Sequence, residues 1–113
     1  PLDAWATKAT IASINEIQSY RDFSAYFLLS GVKKNTKIFT EVKDWLAETY
    51  PLPIFDTVVE LRTAYSRSLG EGLTVFEYKD DSGRMDKKAI IEVNALIDEI
   101  LSRENIVQQE EAI

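Results

Sequence analysis

The 113-residue chain predicts a mixed α/β fold, with a mostly parallel sheet flanked by helices and a long amphipathic helix at its end. Two observations carry the prediction. Short runs of aromatic and β-branched residues, with apolar side chains at nearly every position, alternate with stretches of helical periodicity. Prolines and glycines fall between these segments and not inside them.

The first helix extends to about Tyr20: Leu2, Trp5, Ala6, Ala9 and Ala12 form one stripe, and Ile11, Ile14 and Ile17 carry the apolar surface further round the cylinder. Residues 23–29 read as a strand buried on both faces, ended by Gly31. After the polar run 33–36, Ile38, Phe39, Val42, Trp45, Leu46 and Thr49 follow helical spacing to about Tyr50, with Asn35 or Thr36 as the N-cap. Pro51 and Pro53 then bracket a second β-branched run over 54–59. Strand, helix, strand at this spacing implies a right-handed parallel crossover.

A short helical turn follows over 61–69, then a bend at Gly70 and Gly72 before 73–78, and a polar loop over 79–83. The last helix runs from Met85 to about Arg103 on Ala89, Ile90, Val93, Leu96, Ile97, Ile100 and Leu101, with Lys87, Lys88, Glu92, Asp98 and Glu99 turned towards water. Residues 1–103 form the folded unit, and the acidic stretch 104–113 is a frayed tail. Two parallel strands are few for such a sheet, which normally has about five or six. The expectation is that a preceding half supplies the rest; the chain opens on Pro1, and its one methionine is Met85.

Composition narrows the chemistry. Cysteine and histidine are both absent, which removes disulfides, thiolate metal sites and imidazole bases. Cysteine-free usage fits a cytoplasmic protein, and no apolar run approaches the ~20 residues of a membrane span. A formal net charge of −6 confines any nucleic-acid contact to a local patch. A Gly-x-x-x-x-Gly-Lys-Ser/Thr phosphate loop does not occur in these residues.

Three groups of residues stand out as candidate sites. Lys33, Lys34 and Lys37 cluster where a strand leaves the sheet, the usual place for a ligand in open α/β folds; a solvated helix start is the alternative. Arg62 and Arg67 suit phosphate through their planar guanidinium forks, or else pair with Glu60, Glu71 or Glu77 on the surface. Gly70 and Gly72 mark a turn and not a phosphate loop, and Asp3 and Asp56 sit at element ends as caps or solvated groups. No metal ligands are expected. Trp5, Phe39, Trp45 and Phe55 lie among aliphatics and read as core or partner interface.

The opening Pro1-Leu2-Asp3 before a helix, the strand–helix–strand unit, and the series Arg67, Gly70 or Gly72, Val75 and Glu77 before the last helix together resemble the C-terminal half of ParA-type partition ATPases, of the ParA/MinD family. The likeness covers about residues 1–103. It implies the later half of a P-loop-NTPase-like sheet, and a parent ATPase that dimerises with ATP and Mg2+, binds DNA non-specifically over the bacterial nucleoid, and moves plasmids or chromosomes with a centromere-binding ParB-like adaptor. The phosphate loop would precede Pro1, so the chain alone is not expected to be active. The resemblance puts adenine-side loops at 30–35 and 57–62, with Lys33, Lys34, Asn35, Thr57 and Val58 as nucleotide-side residues and Arg62 and Arg67 towards DNA. Septum-positioning relatives carry a basic membrane-targeting helix, whereas the end of this chain is acidic. The alternative is a free-standing α/β interaction module that takes no nucleotide and pairs through an open sheet edge.

Overall fold

The computed structural model describes residues 4–106, and for residues 4 and 5 the backbone only. The Pro1-Leu2-Asp3 entry and the tail beyond 106 lie outside the described residues. Four helices and two short strands follow in the order α1 (Ala4–Gln18), β1 (Ser30–Val32), α2 (Lys37–Thr49), β2 (Val59–Glu60), α3 (Thr63–Gly70) and α4 (Lys87–Arg103).

β1 and β2 pair in parallel, with Ser30 opposite Val59 and Val32 opposite Glu60, and a further parallel bridge joins Phe27 to Ile54. The two apolar runs therefore do form a parallel ribbon across a connecting helix. Regular pairing, however, sits later than the apolar runs suggest. Gly31 does not end the first strand; it is the extra residue of a bulge inside β1, and its φ of 71° lies in the left-handed region that favours glycine.

α2 begins where its capping chemistry dictates. The Thr36 hydroxyl accepts the Phe39 N–H at 3.3 Å, while Asn35 turns the chain at φ 62°. The helix lays Leu46, Phe39 and Val42 over Leu29 and Val58, which makes one small core. Successive residues of a strand face opposite ways, so Tyr26 and Phe55 emerge on the other face of the ribbon, stacked at 4.6 Å. α1 reaches this ribbon near Tyr26, Phe27 and Leu52, and buries Ile11.

The second core joins α3, the segment after it, and α4. Gly72, at φ 70°, closes α3 in a Schellman turn: the Leu73 N–H donates to the Ser68 carbonyl at 2.8 Å and the Gly72 N–H to that of Leu69 at 3.1 Å. The Thr74 N–H and hydroxyl both donate to the Glu77 carboxylate, which braces the next turn. That turn drives Val75 and Tyr78 against Ala64 and Ala89. The Gly-x-x-Val-x-Glu series at 72–77 is thus an architectural signal, in which each residue closes, braces or buries this turn.

Both cores are thin. A two-stranded layer is too narrow to cover the helices on its faces, and Leu28, Ile38, Ile91 and Ile97 remain exposed.

Candidate functional site: the two edges of the parallel ribbon

Glu92, Glu99 and Arg103 lie seven and then four residues apart on α4, close to whole numbers of helical turns, so they share one face. Glu92 and Glu99 do not point to water as the charge pattern suggests. Glu99 and Arg103 serve the backbone along the outer side of the second strand run, and Glu92 serves side chains at its end. Arg103 donates to the Ile54 carbonyl at 3.0 Å. The two Glu99 carboxylate oxygens accept the N–H groups of Asp56 and Thr57, each at 2.8 Å. Glu92 lies at the end of β2, where it accepts from Arg62 and from the Tyr65 hydroxyl. These backbone groups face away from β1, and side chains of α4 stand where another strand would otherwise pair.

The electrostatics follow from these contacts. Burial works against the charged form of Glu99, but the two backbone donors, the Thr57 hydroxyl and Arg103 outweigh it and lower the pKa from 4.5 to about 2. A depressed carboxylate contributes its stability above the unfolded-state pKa and loses it as pH falls. Acid titration is therefore expected to remove roughly 2 kcal/mol between pH 4.5 and pH 2, and Glu99→Gln to flatten that part of the profile. A thermal-denaturation series in that window reads the effect. Beside this contact the Arg103 guanidinium stands 5.6 Å from the centroids of both Tyr26 and Phe55, and the Tyr26 hydroxyl donates to Glu104, which raises the tyrosine pKa.

At the carboxyl end of β2, Arg62 is forked between Glu60 at 3.0 Å and Glu92 at 2.5 Å, and the Tyr65 hydroxyl donates to Glu92 at 2.8 Å. Burial disfavours ionised Glu92, yet Arg62 and Tyr65 hold its pKa below the usual range; burial and then Glu92 raise that of Tyr65. Arg62 is mostly covered, and its Nε is buried without a partner. The Glu60 pairing was among the sequence expectations, but the partner on α4 was not, because nothing in a linear pattern joins 62 to 92.

Arg67 is exposed and lines an open cleft of about 480 Å3 with Thr63, Tyr78, Asp80, Arg84 and Asp86. Of the two arginines expected towards DNA, Arg67 faces solvent and Arg62 is committed to Glu60 and Glu92.

Lys33, Lys34 and Asn35 form the exposed loop after β1, and the Lys34 N–H donates to Glu60 at 2.9 Å, which ties that loop to the end of β2. Thr57 and Val58 are placed differently. They precede β2, so they do not line the loop beyond it; Val58 is core, and the Thr57 N–H belongs to Glu99. An apolar crevice of about 30 Å3 lies under Leu29, Val32 and Phe39, whereas ligand pockets run to about 300 Å3 or more.

Among the described residues no cluster of three acidic side chains could hold a metal ion, and no helix is long and apolar enough to cross a membrane. No protein-family model, curated protein or solved structure matches the chain.

Proposed function

We propose that the chain is the C-terminal segment of a ParA-like partition ATPase. In this reading it supplies the last strands of the parallel sheet, the loop 33–35 on the adenine side, and a surface on α3 and α4 for DNA or the adaptor protein. The observation that carries the reading is the parallel strand–helix–strand ribbon, with helices against it, leading directly into the Arg67 to Glu77 series. Such a ribbon is a piece of a wider sheet. ATP, Mg2+ and the phosphate loop belong to the remainder of the protein, as do ATP-dependent dimerisation and nucleoid association. Arg67, and not Arg62, is the arginine available to DNA.

The test is ATP turnover by the protein translated from its whole reading frame, with and without duplex DNA of arbitrary sequence. Turnover that rises with DNA and adaptor supports the reading. A reading frame whose upstream part holds no phosphate loop overturns it. The second reading is an interaction module that takes no nucleotide. It draws on the exposed apolar side chains, and it predicts no turnover from the longest translated product.

A further inference from the structure

The open cleft of about 480 Å3 beside α3 gathers charges of both signs that stand unpaired: Arg67 and Arg84 line it together with Asp80, Asp81 and Asp86. The ion pairs among the described residues involve none of the five. Two of the carboxylates are partly committed to the backbone. Asp80 accepts the N–H groups of Ser82 and Arg84 at 2.8 and 3.0 Å, which holds the loop between them in shape, and Asp86 caps α4 by accepting from Ala89 at 3.0 Å. Among the described residues no hydrogen bond engages Asp81 or either guanidinium group, and all three side chains are exposed.

Tyr78 supplies an independent sign. It is 6% exposed and packs with Ala64, Val75 and Ala89, yet it lines the same cleft. A phenol at that depth normally finds a hydrogen-bond partner. Its hydroxyl has none among the described residues, and it is not sealed in either, since the fully buried side-chain polar atom without a partner there is Arg62 Nε. The opening that Tyr78 lines is the cleft, so its O–H is free to meet a ligand in it.

We propose that this cleft binds a small zwitterion of the amino-acid class. Arg67 and Arg84 hold its carboxylate, with Tyr78 donating to the same group, and Asp81 takes its ammonium group. An apolar side chain then lies over Ala64 and Met85, which also line the cleft. The guanidinium fork matches a carboxylate in two parallel hydrogen bonds, and the volume falls in the range of ligand pockets. The charges of the wall decide between ligand classes. Three aspartates outnumber two arginines, so a phosphate dianion would enter against the local field, and a simple cation would meet two unpaired guanidinium groups. A molecule that carries both charges finds a partner for each. The proposal does not rest on the ATPase reading.

The test is a residue-resolved NMR titration of the 113-residue chain with L-leucine and L-methionine. The amide signals of Asp81, Ser82 and Arg84 are expected to shift with a dissociation constant below about 1 mM. Leucinamide, which lacks the carboxylate, and 4-methylpentanoate, which lacks the ammonium group, should each bind at least about 10-fold more weakly, and Arg84→Gln should weaken leucine by a similar factor. Tyr78→Phe keeps the ring in the core; it should weaken leucine roughly 3- to 10-fold and leave the thermal midpoint of the free protein unchanged or higher, because no bond of the free protein is lost. A lower midpoint would show that the hydroxyl already has a partner in the fold, and would overturn the site. Unshifted signals at about 10 mM of either amino acid overturn it as well. Inorganic phosphate or 4-methylpentanoate binding as tightly as leucine would make the cleft an anion site and overturn the assigned ligand.

Discussion

Glu99→Ala is expected to destabilise the protein by about 3 kcal/mol, a fall of roughly 10–20 °C in thermal midpoint for a chain of this size. One carboxylate satisfies two backbone N–H groups and pairs with the Arg103 guanidinium at 2.8 Å. Its removal takes the acceptor from both N–H groups and one partner from Arg103, which keeps the Ile54 carbonyl, and leaving a donor unmade costs more than the bond is worth on average. Glu99→Gln keeps one acceptor oxygen and should fall between the two. Asp98→Ala, next along α4 but exposed, should stay within about 0.5 kcal/mol. Equal effects at 98 and 99 would mean that α4 does not hold the β2 edge.

Arg62→Ala is the second large effect. It leaves Glu92 buried among Tyr65, Ala89 and the end of β2 with its positive partner gone. Breaking a largely covered pair in this way costs about 3 kcal/mol, whereas replacing both partners with apolar groups is often close to neutral. Arg62→Met with Glu92→Leu should therefore be more stable than Arg62→Ala alone, and chemical denaturation of the three proteins measures the difference. A surface arginine reserved for DNA would show neither effect: its alanine variant would be near neutral and the double variant no better.

Local chemistry made much of the fold legible. α2 was readable because Thr36, the apolar spacing and Pro51 all agree, and α4 because its stripe is long. The parallel ribbon was readable from two apolar runs separated by one helix. The ends of its strands were not, because the apolar runs continue beyond the residues that pair and Gly31 bulges within β1 instead of ending it. Glu92 and Glu99 misled for a different reason. On a helical wheel they belong with Lys88 and Asp98, and only the return of α4 along β2 puts unpaired N–H groups in front of Glu99 and Arg62 in front of Glu92. The capped edge, Arg62 included, is a contact between segments 30 or more residues apart, which no local period encodes. Gly72, Val75 and Glu77 attracted notice as a family-like series, and the turn they build accounts for each of them without any ligand.

The most direct test of unequal ribbon edges is residue-resolved amide hydrogen exchange on the 113-residue chain at neutral pH. Protection of Asp56 and Thr57, together with free exchange at Leu28 and Ser30, is the predicted result. Free exchange at Asp56 and Thr57 would contradict it, since Glu99 would then not be holding them, and β2 would be as open as β1.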